Sequence, residues 1–243
     1  MKTDSALPDS AANEEVRRAA VAPFIDSLKR RRHGLDAQSA LPVQLEATVR
    51  QVDAVAGGLS ADDLAACLAQ AASAIGATMH RTTSAHWLDV VAELVQKLRA
   101  KSVLIPPIGD GLFDADRAEQ LARRLAALPV AVSETTRGNT LFAADAAITG
   151  VVAAIAETGT IVCESGAKVA RASSLVPPVH IAVVAMWQLL PDLYDYFETL
   201  GRRSELPANV NMITGPSKTA DIEGVLVTGV HGPGELHIVL VGE

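Results

Sequence analysis

The residues best equipped for chemistry fall in two short polar stretches of an otherwise apolar C-terminal half. The first is Ala156-Glu157-Thr158-Gly159-Thr160, followed by Arg171 and Ser174-Leu175-Val176-Pro177-Pro178. The second is Gly215-Pro216-Ser217-Lys218-Thr219, continued through Asp221 and Glu223 to Gly229-Val230-His231. Glu157 offers a carboxylate that can act as general base, nucleophile or hydrogen-bond acceptor. Thr158 and Thr160 flank Gly159, which either lets backbone approach a ligand or takes a positive φ. Arg171 can grip a carboxylate bidentately. Around Gly215, backbone N–H groups, the Ser217 and Thr219 hydroxyls and the Lys218 ammonium can cradle a carboxylate or phosphate. Asp221 and His231 complete the candidate set, His231 as proton donor or as a plain loop residue.

Each stretch also has an unspecialised reading. Gly215-Pro216 can be a simple turn carrying a solvated lysine. Glu157, costly to bury alone, can pair with Arg171, Lys168 or Lys218 and pin two loops together. His80, His180 and His237 lie in strand-like runs and are expected to pack.

Several chemistries lack support. The spaced glycine that precedes Gly-Lys in a nucleotide P-loop is missing, and no Gly-x-Gly-x-x-Gly or Gly-x-Ser-x-Gly occurs. The six histidines form no zinc pattern, so no metal centre is expected. Cys67 and Cys163 stand far apart, are expected to be buried free thiols, and cannot ligate an iron–sulfur cluster alone. A net charge of -7 argues against a duplex-binding surface, and 3% aromatic residues argue against a stacking platform for single strands. The basic run Lys29 to His33 suits a helix C-terminus.

Positioning these residues requires a layered α/β frame. Of 243 residues, 49% are hydrophobic and 20% charged, and short Val/Leu/Ile runs alternate with amphipathic stretches. Helices are predicted over Glu14–Arg32, Ser60–Ile75 (with Ser60 and Asp63 as a capping pair and Leu64, Cys67, Leu68 and Ala71 inward), a stretch from a cap at Thr83 or Ser84 through Trp87 to Leu98, Asp116–Leu128 and Leu189–Leu200. Strands are predicted at Thr78–His80, Ser102–Ile105, Val130–Val132, Ala144–Thr149, Thr160–Cys163, Val179–Val184, Asn211–Thr214 and Leu236–Val241. Both polar stretches would then lie beyond the carboxyl ends of strands, where open α/β sheets receive ligands. Residues 1–59 read as a helical extension with a linker, and 60–243 as the α/β domain. The most apolar run, Val179–Leu190, is about a dozen residues and too short for a membrane span. The N-terminus has no secretory h-region, so a cytoplasmic location is expected.

In order and spacing these residues resemble the lactate-utilization protein C family, whose domain is the LUD domain. The likeness rests on Asp145-Ala146-Ala147-Ile148-Thr149, the Glu157 stretch, Arg171, Ser174–Pro177, Ile213–Ser217, Ala220–Glu223 and Gly229–Pro233, within roughly Ser60 to Val241. It implies a three-layer α/β/α fold with a mostly parallel sheet, similar to ribose-5-phosphate isomerases and CoA-transferases. It also implies a part in oxidising L-lactate to pyruvate beside two companion proteins, one cysteine-rich and one carrying iron–sulfur clusters. This chain would be the cluster-free component, with no cofactor of its own. Two alternatives stay open. One is an independent enzyme, because Glu157 two residues before Gly159 is similar to the Glu-x-Gly loop of CoA-transferases; a sugar-phosphate isomerase falls in the same class. The other is a non-catalytic interaction or regulatory module.

Overall fold

The computed structural model describes residues 59–106, 113–134, 139–166, 169–219 and 227–242. The expectations for residues 1–58, for Lys168 and for Ala220–Glu223 fall outside the described residues.

Helix α1 spans Ala61–Ile75. The Ser60 hydroxyl accepts from the Asp63 N–H at 3.1 Å, and the Asp63 carboxylate accepts from the Ser60 N–H at 3.1 Å, so the expected capping box forms. Gly76 ends the helix at φ 90, the left-handed geometry that glycine takes without strain. The inward stripe is Ala65, Leu68 and Ala72, one position round from the predicted face. Cys67 is therefore exposed, which corrects its assignment as a buried thiol.

After α1 come β1 (Thr78–Thr83), α2 (Trp87–Lys97), β2 (Ser102–Leu104), α3 (Ala115–Leu125), β3 (Ala131–Ser133), α4 (Asn139–Ala143) and β4 (Ala146–Gly150). There follow β5 (Ala153–Ile155), β6 (Thr160–Ser165), β7 (Val179–Ala185), β8 (Leu189–Leu190), α5 (Leu193–Gly201), β9 (Asn209–Ile213), β10 (Lys218–Thr219), β11 (Val227–Thr228) and β12 (Glu235–Gly242). Six strands form one wholly parallel sheet in the order β1-β12-β7-β4-β2-β3. A parallel sheet is covered on both faces, and its central strands β4, β7 and β12 are near-continuous buried runs, while the edge strands β1 and β3 are partly exposed. On one face Ile148, Ile181, Val183, Val239 and Val241 pack against α2 and α3 through Val91, Val95, Leu121 and Leu125. On the other, Ala182, Val184, Ile238 and Leu240 meet Leu68 and Ala72 of α1 and Ile161 and Cys163 of β6.

That second covering layer is partly a sheet. Strands β8-β5-β6-β9 form a four-stranded unit, with β5–β6 and β6–β9 antiparallel. Strand β5 has no counterpart among the predicted elements, because Val151–Ala156 is one apolar run with no alternation to mark it. The predicted helix Leu189–Leu200 divides at Pro191. Leu189–Leu190 pairs with β5, and Asp192 then caps α5 by accepting from the Tyr194 and Asp195 N–H groups at 2.7 and 3.1 Å. Helix α5 covers the outer face of the small sheet with Tyr196, whose hydroxyl donates to Glu164 at 2.9 Å. Arg203 donates to both Glu164 oxygens at 2.8 Å, satisfying that carboxylate fully.

Asp145, the head of one resembling motif, has a structural task. Its Oδ2 accepts from the N–H groups of Lys101 and Ser102 at 2.7 and 2.9 Å, joining the start of β2 to the start of β4. Partial burial raises its pKa, but these hydrogen bonds outweigh it and the carboxyl stays below its ordinary value.

Candidate functional site

The two polar stretches meet. Strands β6 and β9 pair with Ile161 opposite Ile213, which brings Thr160 beside Thr214. The Thr158, Thr160 and Thr214 hydroxyls form a chain with O···O distances of 2.7 and 2.8 Å. Thr160 is 2% exposed, so this chain is sealed from solvent at its centre.

Both stretches also press on α1. Gly159 has φ 69, and a Cβ placed on it would lie 2.6 Å from the Ala72 backbone nitrogen. Gly215 has φ 88, and its Cβ would lie 3.0 Å from the Ile75 carbonyl oxygen. Lys218 donates from Nζ to that same carbonyl at 2.7 Å, placing its cation at the negative end of the helix. The glycines are thus required by close helix packing.

The third loop joins through the backbone. Ser217 N–H donates to Pro233 O at 2.8 Å, Gly229 N–H to Ser217 O at 2.9 Å, and Gly234 N–H to Pro178 O at 2.9 Å. His231 is exposed on this loop, while Thr219 lies in the β10–β11 hairpin. Since Pro178 and Gly234 immediately precede β7 and β12, and Ile75 precedes β1, this band follows the amino edge of the large sheet. The expected placement is corrected in part: the two stretches follow the carboxyl ends of β5 and β9, but these strands belong to the small mixed sheet, and the band lies at the amino edge of the large parallel one.

Glu157 is exposed on the β5–β6 turn, its N–H donating to Pro191 O at 3.1 Å. It makes no ion pair with a described residue, so the buried-pair reading does not hold among those residues. Arg171 is exposed at the start of a 3-10 turn spanning Arg171–Ser174. It lines a cavity of about 20 Å³ with Glu164, Ser173, Ser174, Cys163 and Asn211. Cys163 pairs with Asn211, three residues along the ladder from Thr160, or about 10 Å at strand rise. Arg171 therefore occupies the far end of β6 from Glu157.

Around that cavity lies a buried polar cluster, and its His180 was expected only to pack. The His180 Nε2 and Thr149 Oγ1 are 2.8 Å apart, with both residues buried. Burial pushes the His180 pKa down to about 4, so its ring is neutral near neutrality. Burial pushes the Cys163 thiol up to about 12, against weaker opposing hydrogen bonds from Thr149 and Ser174. The Ser173 Oγ and His180 Nδ1 are buried with no hydrogen-bond partner. A sequence signal did exist: His180 and Thr149 each interrupt a run of apolar strand residues. At the other edge of β12, His80 Nε2 and His237 Nδ1 are 3.2 Å apart, and burial lowers both pKa values. Among the described residues no group of three or more His, Cys, Asp or Glu is placed to hold a metal ion, and no helix is long and apolar enough to cross a membrane.

A parallel six-stranded sheet backed by helices on one face, and by a helix with a small mixed sheet on the other, defines the class of fold. Residues 66–241 match the LUD domain, and the chain belongs to that family. It is 30% identical over 197 residues to lactate utilization protein C of Bacillus subtilis, covering 76% of this chain and 81% of that protein. It is 31% identical over 183 residues to an uncharacterized protein of Neisseria meningitidis, covering 71% and 75%. A crystal structure of a DUF162 family protein from Deinococcus radiodurans shares the fold, with a TM-score of 0.53 at 24% identity over 76% of this chain and 99% of that one.

Proposed function

We propose that this chain is the cluster-free component of an L-lactate utilization system that oxidises lactate to pyruvate, and that it binds a small anionic ligand. The pathway rests on the likeness to lactate utilization protein C over three-quarters of the chain. One observation carries the ligand class: Arg171, exposed and without an ion pair to a described residue, borders the cavity that holds the orphaned Ser173 hydroxyl. At about 20 Å³ the cavity has room for roughly one oxygen atom. A carboxylate can place one oxygen on Ser173 and the other on the guanidinium. Lys218 is a second exposed cation, but it lies on the band around Thr160 and does not line this cavity. The redox chemistry belongs to partner proteins carrying iron–sulfur clusters, and the complex works in the cytoplasm.

The test is thermal stability of the purified chain with lactate, pyruvate, inorganic phosphate and CoA esters, because a ligand that binds only the native state raises the midpoint. Arg171→Ala should abolish the shift given by lactate or pyruvate, whereas Lys218→Ala, outside the cavity lining, should leave it in place. A shift that Arg171→Ala leaves unchanged removes this site. Lactate-dependent reduction of an acceptor should require this chain together with its iron–sulfur partners.

A second reading takes its support from the exposed Glu157 carboxylate, free to attack a thioester as in CoA-transferases. A hydroxylamine-sensitive increase in intact mass after incubation with an acyl-CoA, absent in Glu157→Gln, would favour it.

A further inference from the structure

We propose that a groove at the carboxyl ends of β1, β12 and β7 binds a mononucleotide, its base stacked on Trp187 and its phosphate on Arg81. The groove measures about 790 Å³, within the range of small-molecule sites. Its floor is formed by the last residues of three adjacent parallel strands, Thr82–Thr83, Val241–Gly242 and Ala185. This is the edge where open parallel sheets receive ligands. It is the opposite edge from the band around Thr160.

The walls supply both halves of the recognition. Trp187 is 68% exposed, in a 3-10 turn that directly follows β7. That turn is held from below by Gln188, which is buried and accepts from the Ala185 N–H at 2.8 Å. The indole thus lines the groove from a fixed backbone, open to a stacking ring. The chain's second tryptophan, Trp87, is 3% exposed in the core against Phe113, out of reach of any solute.

Arg81 provides the charge. Its guanidinium pairs with Asp62, and the two side chains are 55% and 75% exposed. An exposed pair of this kind is held weakly. A phosphate, which a guanidinium grips with two parallel hydrogen bonds, displaces it. The released Asp62 carboxylate can accept from a ribose hydroxyl or an exocyclic amine, and the Thr82 and Ser84 hydroxyls remain for the sugar and phosphate. The start of α1 is not the anion seat, since the Asp62 and Asp63 carboxylates already stand in its first turn. Only a molecule with both a planar ring and an anionic group engages both walls.

The experiment titrates the full chain with adenosine 5′-monophosphate while following indole fluorescence, with adenosine and inorganic phosphate in parallel. The expected result is saturable quenching by the nucleotide, with adenosine at least about tenfold weaker and phosphate without effect on the indole. Arg81→Gln and, by calorimetry, Trp187→Ala should each weaken nucleotide binding about tenfold or more. Both side chains are exposed, and circular dichroism should show both variants folded. No saturable signal up to about 10 mM nucleotide, or binding that both folded variants retain unchanged, overturns the proposal. The anion site at Arg171 is read separately, by stability against lactate and pyruvate, so either can fail alone.

Discussion

Thr160 and Thr214, 54 residues apart in sequence, share a hydrogen bond of 2.8 Å where β6 begins and β9 ends. The bond joins the two polar stretches, and Thr158 extends it at 2.7 Å. Replacing Thr160 with Val keeps the shape but strands the other two hydroxyls. Thr160→Val should therefore cost about 1–2 kcal/mol in urea unfolding, with an unchanged m-value.

The two glycines of the band make a sharper prediction. An Ala at 159 meets both a left-handed backbone and a contact of 2.6 Å with the backbone of α1. Gly159→Ala should destabilise by about 2 kcal/mol or more. Gly166, with nothing within 4 Å of its would-be Cβ, serves as the control and should change stability by less than about 0.5 kcal/mol when replaced by Ala. Equal effects in the two variants would remove the packing account.

His180 sets an acid limit. Its unfolded form takes up a proton near pH 6.5, while the native ring resists until about pH 4. Between those values the unfolded chain binds more protons, so stability is full above pH 6.5 and declines as pH falls towards 4. The loss from pH 7 to pH 5 should be about 2 kcal/mol from this residue. Burial lowers His80 and His237 as well, and they act in the same direction. His180→Asn should flatten the decline, measured as urea midpoints at the two pH values.

The cysteines should separate cleanly. Cys67 is exposed on α1, whereas Cys163 is buried with its thiol pushed up to about 12. A thiolate-specific reagent should modify one thiol per native chain at pH 8 and both in denaturant. Cys67→Ser should leave no fast-reacting thiol.

The legible part of this fold was the large sheet. Runs such as Val179–Val184 and Leu236–Val241 are apolar on both faces, as only doubly covered parallel strands are. Ser60, Asp63 and Gly76 announced the ends of α1 through their own side-chain and backbone chemistry. Strand β5 was hidden because three buried residues within a longer apolar run carry no periodicity. Cys67 was misplaced because an alanine-rich helix has too little contrast between faces to fix its rotation. The polar stretches were visible as departures from apolar packing, and their adjacency followed from the pairing of β6 with β9. Their edge of the sheet did not, since a strand's direction relative to the central layer is a property of topology. The groove by Trp187 was missed for a related reason: Arg81, Thr82, Trp187 and Gly242 are gathered only by strand order.

That strand order has a further consequence. Strand β12, the last of the described strands, lies between β1 and β7 and pairs with both along nearly its whole length. Among the described residues β1 has no strand neighbour but β12, so it joins the sheet only once residues 235–242 have emerged, late in synthesis. A nascent chain halted before residue 235 would leave the apolar β7 without its β12 neighbour, the condition in which a chaperone's grip matters most.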